Sequence, residues 1–172
     1  MTRQIALLRG VNVGGNKKVE MAKLRSVMEE LGYTAVRTYV NSGNVVFTGP
    51  KRAPKHLEGA LADAFGFAVP VVLRTRDEIA AVVKANPLRK VATEPSRYLV
   101  VFCAEKAVVS LDPKAFEPEQ FVVRGREVYL WLPDGIGRSE LAKLIANKPL
   151  GTNSTGRNWR TVEKLLALAD GG

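Results

Sequence analysis

The sequence predicts an α+β protein made of two ferredoxin-like (split β-α-β) subdomains with a C-terminal helix. Three observations carry that expectation. Strand-like and helix-like stretches follow the order β-α-β-β-α-β over residues 1–75. A second β-α-β-β-α order fills residues 97–172, without a convincing sixth strand. Between them, residues 76–96 read as one helix followed by a connector.

Taken in order, the first strand is Gln4–Leu8, and a loop from Gly10 to Lys18 follows without periodicity. Met21, Leu24, Val27, Met28 and Leu31 then recur at helical spacing, with Gly32 where helices commonly end. Val36–Val40 and Val45–Phe47 are short strands, joined by Asn41-Ser42-Gly43-Asn44 as a tight hairpin. Pro54 suits the first turn of the next helix, whose apolar stripe is Leu57, Leu61, Ala64 and Phe65. Phe67–Leu73 is the fourth strand, and Pro70 assigns it to an edge or a bulge.

Ile79, Val82 and Val83 mark a third helix that stops before Asn86-Pro87. Beyond the connector come a strand at Arg97–Ala104 and a short helix or turn at Ala107–Leu111. Strands at Gln120–Arg124 and Glu127–Leu132 follow, with a tight turn at Gly125. Helices near Ser139–Ala146 and Asn158–Ala169 complete the chain.

The 172 residues include 46% hydrophobic and 25% charged, the balance of a soluble globular protein. The longest apolar runs, such as Tyr98–Ala104, are strand-length, so no membrane partner is expected. Ile5-Ala6-Leu7-Leu8 is too short for a signal-peptide core, and the expected location is cytoplasmic. One cysteine, Cys103, excludes an intrachain disulfide and a thiolate cluster; one histidine, His56, excludes a multi-histidine metal site. No metal or cofactor is expected. Cys103 reads as a small buried filler and His56 as an exposed residue near a helix start.

The formal charge of +9 is uneven. Residues 1–95 hold 15 Lys/Arg against 8 Asp/Glu, giving +7, and residues 96–172 hold 11 against 9, giving +2. Such a field attracts polyanions or phosphorylated ligands, and it also serves solubility.

In a split β-α-β unit the strand order is 4-1-3-2, so the first two strands run parallel. The loop after the first strand therefore shares one sheet end with the hairpin after the second. The expected ligand-binding residues are Arg9, Asn12, Gly14, Gly15, Asn16 and Lys17 from the loop, with Asn41, Ser42 and Asn44 from the hairpin. Glycines allow several backbone N–H groups to point one way, and the next helix start adds partial positive charge. The loop is not a P-loop: Asn16 stands where lysine is required, and no Ser/Thr follows to hold magnesium.

Two later segments read differently. Gly151–Arg160 contains Arg157, added to the ligand-binding set as a cation near a helix start; Asn158 or Thr155 is the cap and Trp159 a core anchor. Pro133-Asp134-Gly135 is turn chemistry, with Ser139 as an N-cap.

Leu8-Arg9-Gly10-Val11-Asn12-Val13-Gly14-Gly15-Asn16-Lys17-Lys18-Val19 and Arg37-Thr38-Tyr39-Val40-Asn41-Ser42-Gly43-Asn44-Val45-Val46-Phe47 resemble the signatures of the bacterial domain of unknown function 1697 family. Pro133–Ser139 and Arg157–Val162 are similar to its later motifs. The resemblance implies a two-part α+β architecture in a small bacterial protein and brings no established activity.

The expected function is a binding module for a phosphorylated small molecule or nucleic acid. Alternatives are an enzyme acting on a small anionic substrate at the same loops, and a structural protein that self-associates through exposed sheet. The first and third strands lack the stacking aromatics of an RNA-recognition sheet, so nucleic-acid contact would run through the phosphate backbone. No nucleophile–base pair is visible for the enzyme reading, and the sequence sets no oligomeric state.

Overall fold

A computed structural model describes residues 1–12, 15, 17–39, 43–147 and 153–171. The elements are β1 (Thr2–Leu8), α1 (Met21–Glu30), β2 (Thr34–Tyr39), β3 (Asn44–Gly49), α2 (Pro54–Phe65), β4 (Val71–Thr75), α3 (Arg76–Ala85), β5 (Tyr98–Cys103), β6 (Gln120–Arg124), β7 (Glu127–Trp131), α4 (Glu140–Asn147), β8 (Ser154–Asn158) and α5 (Trp159–Ala169). By their internal contacts they divide into two compact units, Met1–Ala81 with Lys164–Gly172, and Val82–Glu163.

The first unit carries the sheet β2-β3-β1-β4. β1 pairs antiparallel with both β3 and β4, and β3 pairs antiparallel with β2, so β1 and β2 run parallel. One sheet face buries Ala6, Leu8, Val45, Phe47 and Val71 with Leu24 and Met28 of α1 and Leu57 and Leu61 of α2. The helical stripe read from the sequence is thus the packed one, and each such side chain contributes about 1.5–3 kcal/mol by leaving water. Pro54 opens α2, and Gly66 closes it in the left-handed region at φ 79°. Ile5, Leu7, Val46 and Val72 on the opposite face are buried too.

Arg3 ties the last turn of α5 into this unit. Its Nε donates to the Ala169 carbonyl (3.3 Å) and its Nη2 to that of Leu168 (3.4 Å), acceptors that a helix end leaves open. Arg76 pairs with Asp170 at 2.7 Å beside them.

The fourth strand differs from the sequence expectation of Phe67–Leu73. β4 begins after Pro70, because proline has no N–H for the ladder, and it extends to Thr75. It is an edge strand, as Pro70 implied.

The second unit repeats the order as β6-β7-β5-β8. Its core joins Val101 and Cys103 of β5, Val128 and Leu130 of β7, and Leu141 and Ile145 of α4. Two expectations are corrected here. A sixth strand of the kind judged absent does exist: β8 pairs antiparallel with β5 from Leu99↔Asn158 to Cys103↔Ser154. Ser-Thr-Gly-Arg-Asn has no apolar alternation, so its strand character comes from the neighbouring ladder alone. Residues 107–111 form no helix; the segment stays irregular until a 3-10 turn at Pro113–Phe116, capped where Asp112 Oδ1 accepts from the Lys114 N–H at 3.0 Å.

The remaining caps match their sequence signals. Ser139 Oγ accepts from the Ala142 N–H (2.9 Å) at α4, and Asn158 Oδ1 accepts from the Thr161 N–H (2.9 Å) at α5. Gly135 turns at φ 92° with its N–H on the Leu132 carbonyl at 2.8 Å. Trp159 stacks on Tyr98 with ring centroids 4.6 Å apart. Among the described residues no helix is long and apolar enough to cross a membrane.

Candidate functional site

The loop after β1 and the hairpin after β2 do meet, within the first unit. The Leu8 N–H donates to the Gly43 carbonyl at 2.8 Å, extending the β1–β3 ladder to the end of the sheet. Gly43 sits at φ 79°, and a Cβ there would stand 2.7 Å from Leu8 Cβ and 2.8 Å from Val11 Cγ2. Only glycine allows so close an approach. On the other side, the Arg9 N–H donates to the Pro70 carbonyl at 2.9 Å, so the loop leaves the sheet between two fixed neighbours.

Asn12 closes the loop on itself. Its side-chain Oδ1 accepts from the Val19 N–H (2.8 Å) and its Nδ2 donates to the Val19 carbonyl (3.0 Å). Its backbone N–H donates to the Lys17 carbonyl at 3.1 Å. Gly10, Asn12, Gly15 and Lys17 all take positive φ, at 69°, 56°, 78° and 50°. Such turns cost energy at the two non-glycine positions, and the Asn12 clamp helps hold them.

The loop leads into α1. Glu20 stands at its N-cap without a side-chain capping bond, so the helix start is not sealed by its own cap. A hollow of about 330 Å³ lies there, lined by Asn12, Gly15, Lys18, Val19, Glu20 and Met21. Arg9, Gly15, Lys17 and Lys18 are exposed around it. The arrangement offers cations and a helix start to an anion, with the Glu20 carboxylate as the opposing charge.

The expected residues therefore fall into groups. Arg9, Asn12, Gly15 and Lys17 share this loop. Asn44 is fully buried, with Nδ2 donating to the Tyr39 carbonyl at 3.0 Å, so it closes the base of the hairpin. Gly14, Asn16, Asn41 and Ser42 lie outside the described residues. Arg157 belongs to the second unit, in β8, with 8% of its surface exposed. Its Nη1 donates to Thr155 Oγ1 (2.7 Å) and to the Gly156 carbonyl (2.8 Å), and burial pulls its guanidinium down to about 10.

Other titratable groups take structural places. Tyr98 donates to Asn86 Oδ1 at 2.9 Å, and burial pushes its phenol up to about 12. Tyr129 is raised as well, again mainly by burial. Cys103 is buried and His56 is exposed beside Arg52.

The family described as Protein of unknown function (DUF1697) matches residues 1–129. The chain belongs to this family. A solved structure, that of conserved bacterial protein SP0830 from Streptococcus pneumoniae, matches over 98% of both chains with a TM-score of 0.75 and 24% identity, a likeness of fold. No curated protein matches.

Sequence reasoning named the loops but missed how they are joined. Lys18 was legible as the end of the loop, whereas the Val19 backbone as the partner of the Asn12 amide was not. An asparagine seven residues ahead of a valine gives no signal of a two-bond clamp.

Proposed function

We propose that the protein is a binding module for a phosphate-bearing ligand, held at the loop between β1 and α1. The observation that carries this reading is the Gly43–Leu8–Val11 contact, which locks the hairpin against the base of a loop rich in glycine and lysine. Lys17, Lys18 and Arg9 supply charge, the Gly15 N–H and the α1 start supply donors, and Asn12 holds the backbone in place. The +7 charge of residues 1–95 supports the same reading by drawing anions to this half of the chain.

Phosphate can come from a small molecule or from a nucleic-acid backbone, and two assays separate the sources. Fluorescence anisotropy with single- and double-stranded DNA and RNA at low salt reads the polymer. Thermal shift with inorganic phosphate, pyrophosphate and nucleotides reads the small ligand. Lys17→Ala/Lys18→Ala is expected to lower the salt dependence of polymer binding by about two phosphate contacts, or to abolish the thermal shift. Silence in both assays with the wild-type chain overturns the reading.

A further inference from the structure

We propose that β6 and β7 present a face that binds single-stranded nucleic acid, with Trp131 stacking a base and Arg124 holding the backbone. The site lies in the second unit and is independent of the loop after β1.

The two sheets differ in the residues of their central strands. β1 holds no aromatic side chain, and Phe47 of β3 packs in the core with α1 and α2. The equivalent strands of the second unit are β5 and β7. Their aromatics are Tyr98, Phe102, Tyr129 and Trp131. Val101, Cys103, Val128 and Leu130 pack with α4, so by strand alternation these four aromatics lie on the other side of the sheet.

Cross-strand register orders that face. Tyr98, Trp131 and Gln120 form one row, Val100, Tyr129 and Val122 the next, and Phe102, Glu127 and Arg124 the third. Tyr98, Val100, Phe102 and Tyr129 are buried, whereas Trp131 and Val122 are half-buried and Gln120 and Arg124 exposed. The face is closed over β5 and opens toward β6. Tyr129 is only 2% exposed, and its phenol makes no hydrogen bond among the described residues. No buried polar side-chain atom there lacks a partner, so this oxygen reaches the surface as an available donor.

Chemistry and charge select the occupant. A planar ring, a phenol, an amide and a guanidinium in one strip match a nucleobase, its edge and its phosphate. Arg124 and Arg157 stand against a single carboxylate, Glu127, among the strand residues of this face. Arg89, exposed in the connector, acts on the same Tyr98 phenol as Arg124, so a second exposed cation flanks the strip. Gln120, opposite Trp131, is four residues from Arg124, about 13 Å along the strand. The phosphate held by Arg124 therefore belongs to a neighbour of the stacked base. A duplex keeps its bases stacked inside, which leaves Trp131 without one and favours the single strand.

Fluorescence anisotropy of labelled oligouridylate and oligodeoxythymidylate with the full chain at low salt tests the face. Saturable binding that weakens with salt is expected, and an abasic strand of equal length should bind about tenfold more weakly. Trp131→Ala should cost about tenfold, with Trp131→Phe recovering most of it because a ring remains. Arg124→Ala, at an exposed position, should cost about threefold and lower the salt dependence by about one phosphate contact. Tyr129→Phe removes only the donor and should cost about threefold. No binding by the wild type, equal binding of abasic and base-bearing strands, or indifference to both Trp131→Ala and Arg124→Ala overturns the proposal. Binding lost in Lys17→Ala/Lys18→Ala but kept in Trp131→Ala and Arg124→Ala assigns the strand to the loop after β1. That result overturns this proposal and leaves the reading of the loop standing.

Discussion

The two units answer one strand order with different connections. In the first, β1 leads through a glycine-rich loop into α1, and the sheet is covered by α1 and α2. In the second, β5 leads through residues 104–119 into β6, and α4 joins the core together with Ala107, Val109, Leu111 and Phe116 of that segment. Both then close alike. β4 ends Arg74-Thr75 and β8 ends Arg157-Asn158; each arginine is buried, and each polar residue caps the helix that follows. The shared scaffold is thus the sheet and its fourth-strand cap, while the segment after the first strand is free to vary. In the first unit Val11 and Val19 anchor that segment in the core, and the stretch between such anchors is where a family can place binding chemistry.

The largest expected difference between the units lies at two glycines. Gly43→Ala forces a Cβ to 2.7 Å from Leu8 Cβ at a positive φ, and should cost about 2–3 kcal/mol. Gly156→Ala in β8 meets only the flexible Leu99 Cδ1 at 3.2 Å, without a positive φ, and should cost under about 1 kcal/mol. Urea unfolding midpoints compare the two; equal losses would break the contrast.

Next comes the clamp. Asn12→Ala removes both bonds to Val19 and should cost about 1–2 kcal/mol, while weakening ligand binding through the loop. If stability falls and binding does not, the loop's shape is irrelevant to the ligand. Smaller still are the matched caps. Asn158→Ala and Thr75→Ala should each cost about 1 kcal/mol in thermal melts, which would confirm the two fourth strands as equivalents.

The smallest effect is set by pH. The Arg76 guanidinium, hydrogen-bonded to Asp170, holds that carboxyl below its ordinary value. Its folded value is depressed, so the contribution is present above the unfolded value of about 4 and disappears as pH falls through the folded one. Asp170→Asn should therefore lower the melting temperature slightly at neutral pH, with the gap closing in acid. A gap that persists at low pH would assign the effect to something other than this ion pair.

Much of this architecture was legible from periodicity. Leu24, Val27 and Met28 marked α1, Pro54 marked the start of α2, and the hairpin glycines marked turns. Parallel β1 and β2 then placed two loops at one sheet end. β8 was illegible because its five residues carry no apolar pattern, and β4 was misplaced because Val69 is buried without being in the strand. The site was half-legible. Residue types pointed to the loop, but the Asn12 clamp and the Gly43 contact depend on distances between separate elements that no local pattern encodes.

The central claim is that the joined loops receive phosphate. Backbone amide chemical shifts of the isotope-labelled full chain, titrated with inorganic phosphate or pyrophosphate, test it most directly. The account expects saturable changes gathered at Gly10, Asn12, Gly15, Lys17, Lys18 and Gly43, with the strands of the second unit unmoved. No change at those amides, or changes centred on β6 to β8, would contradict it.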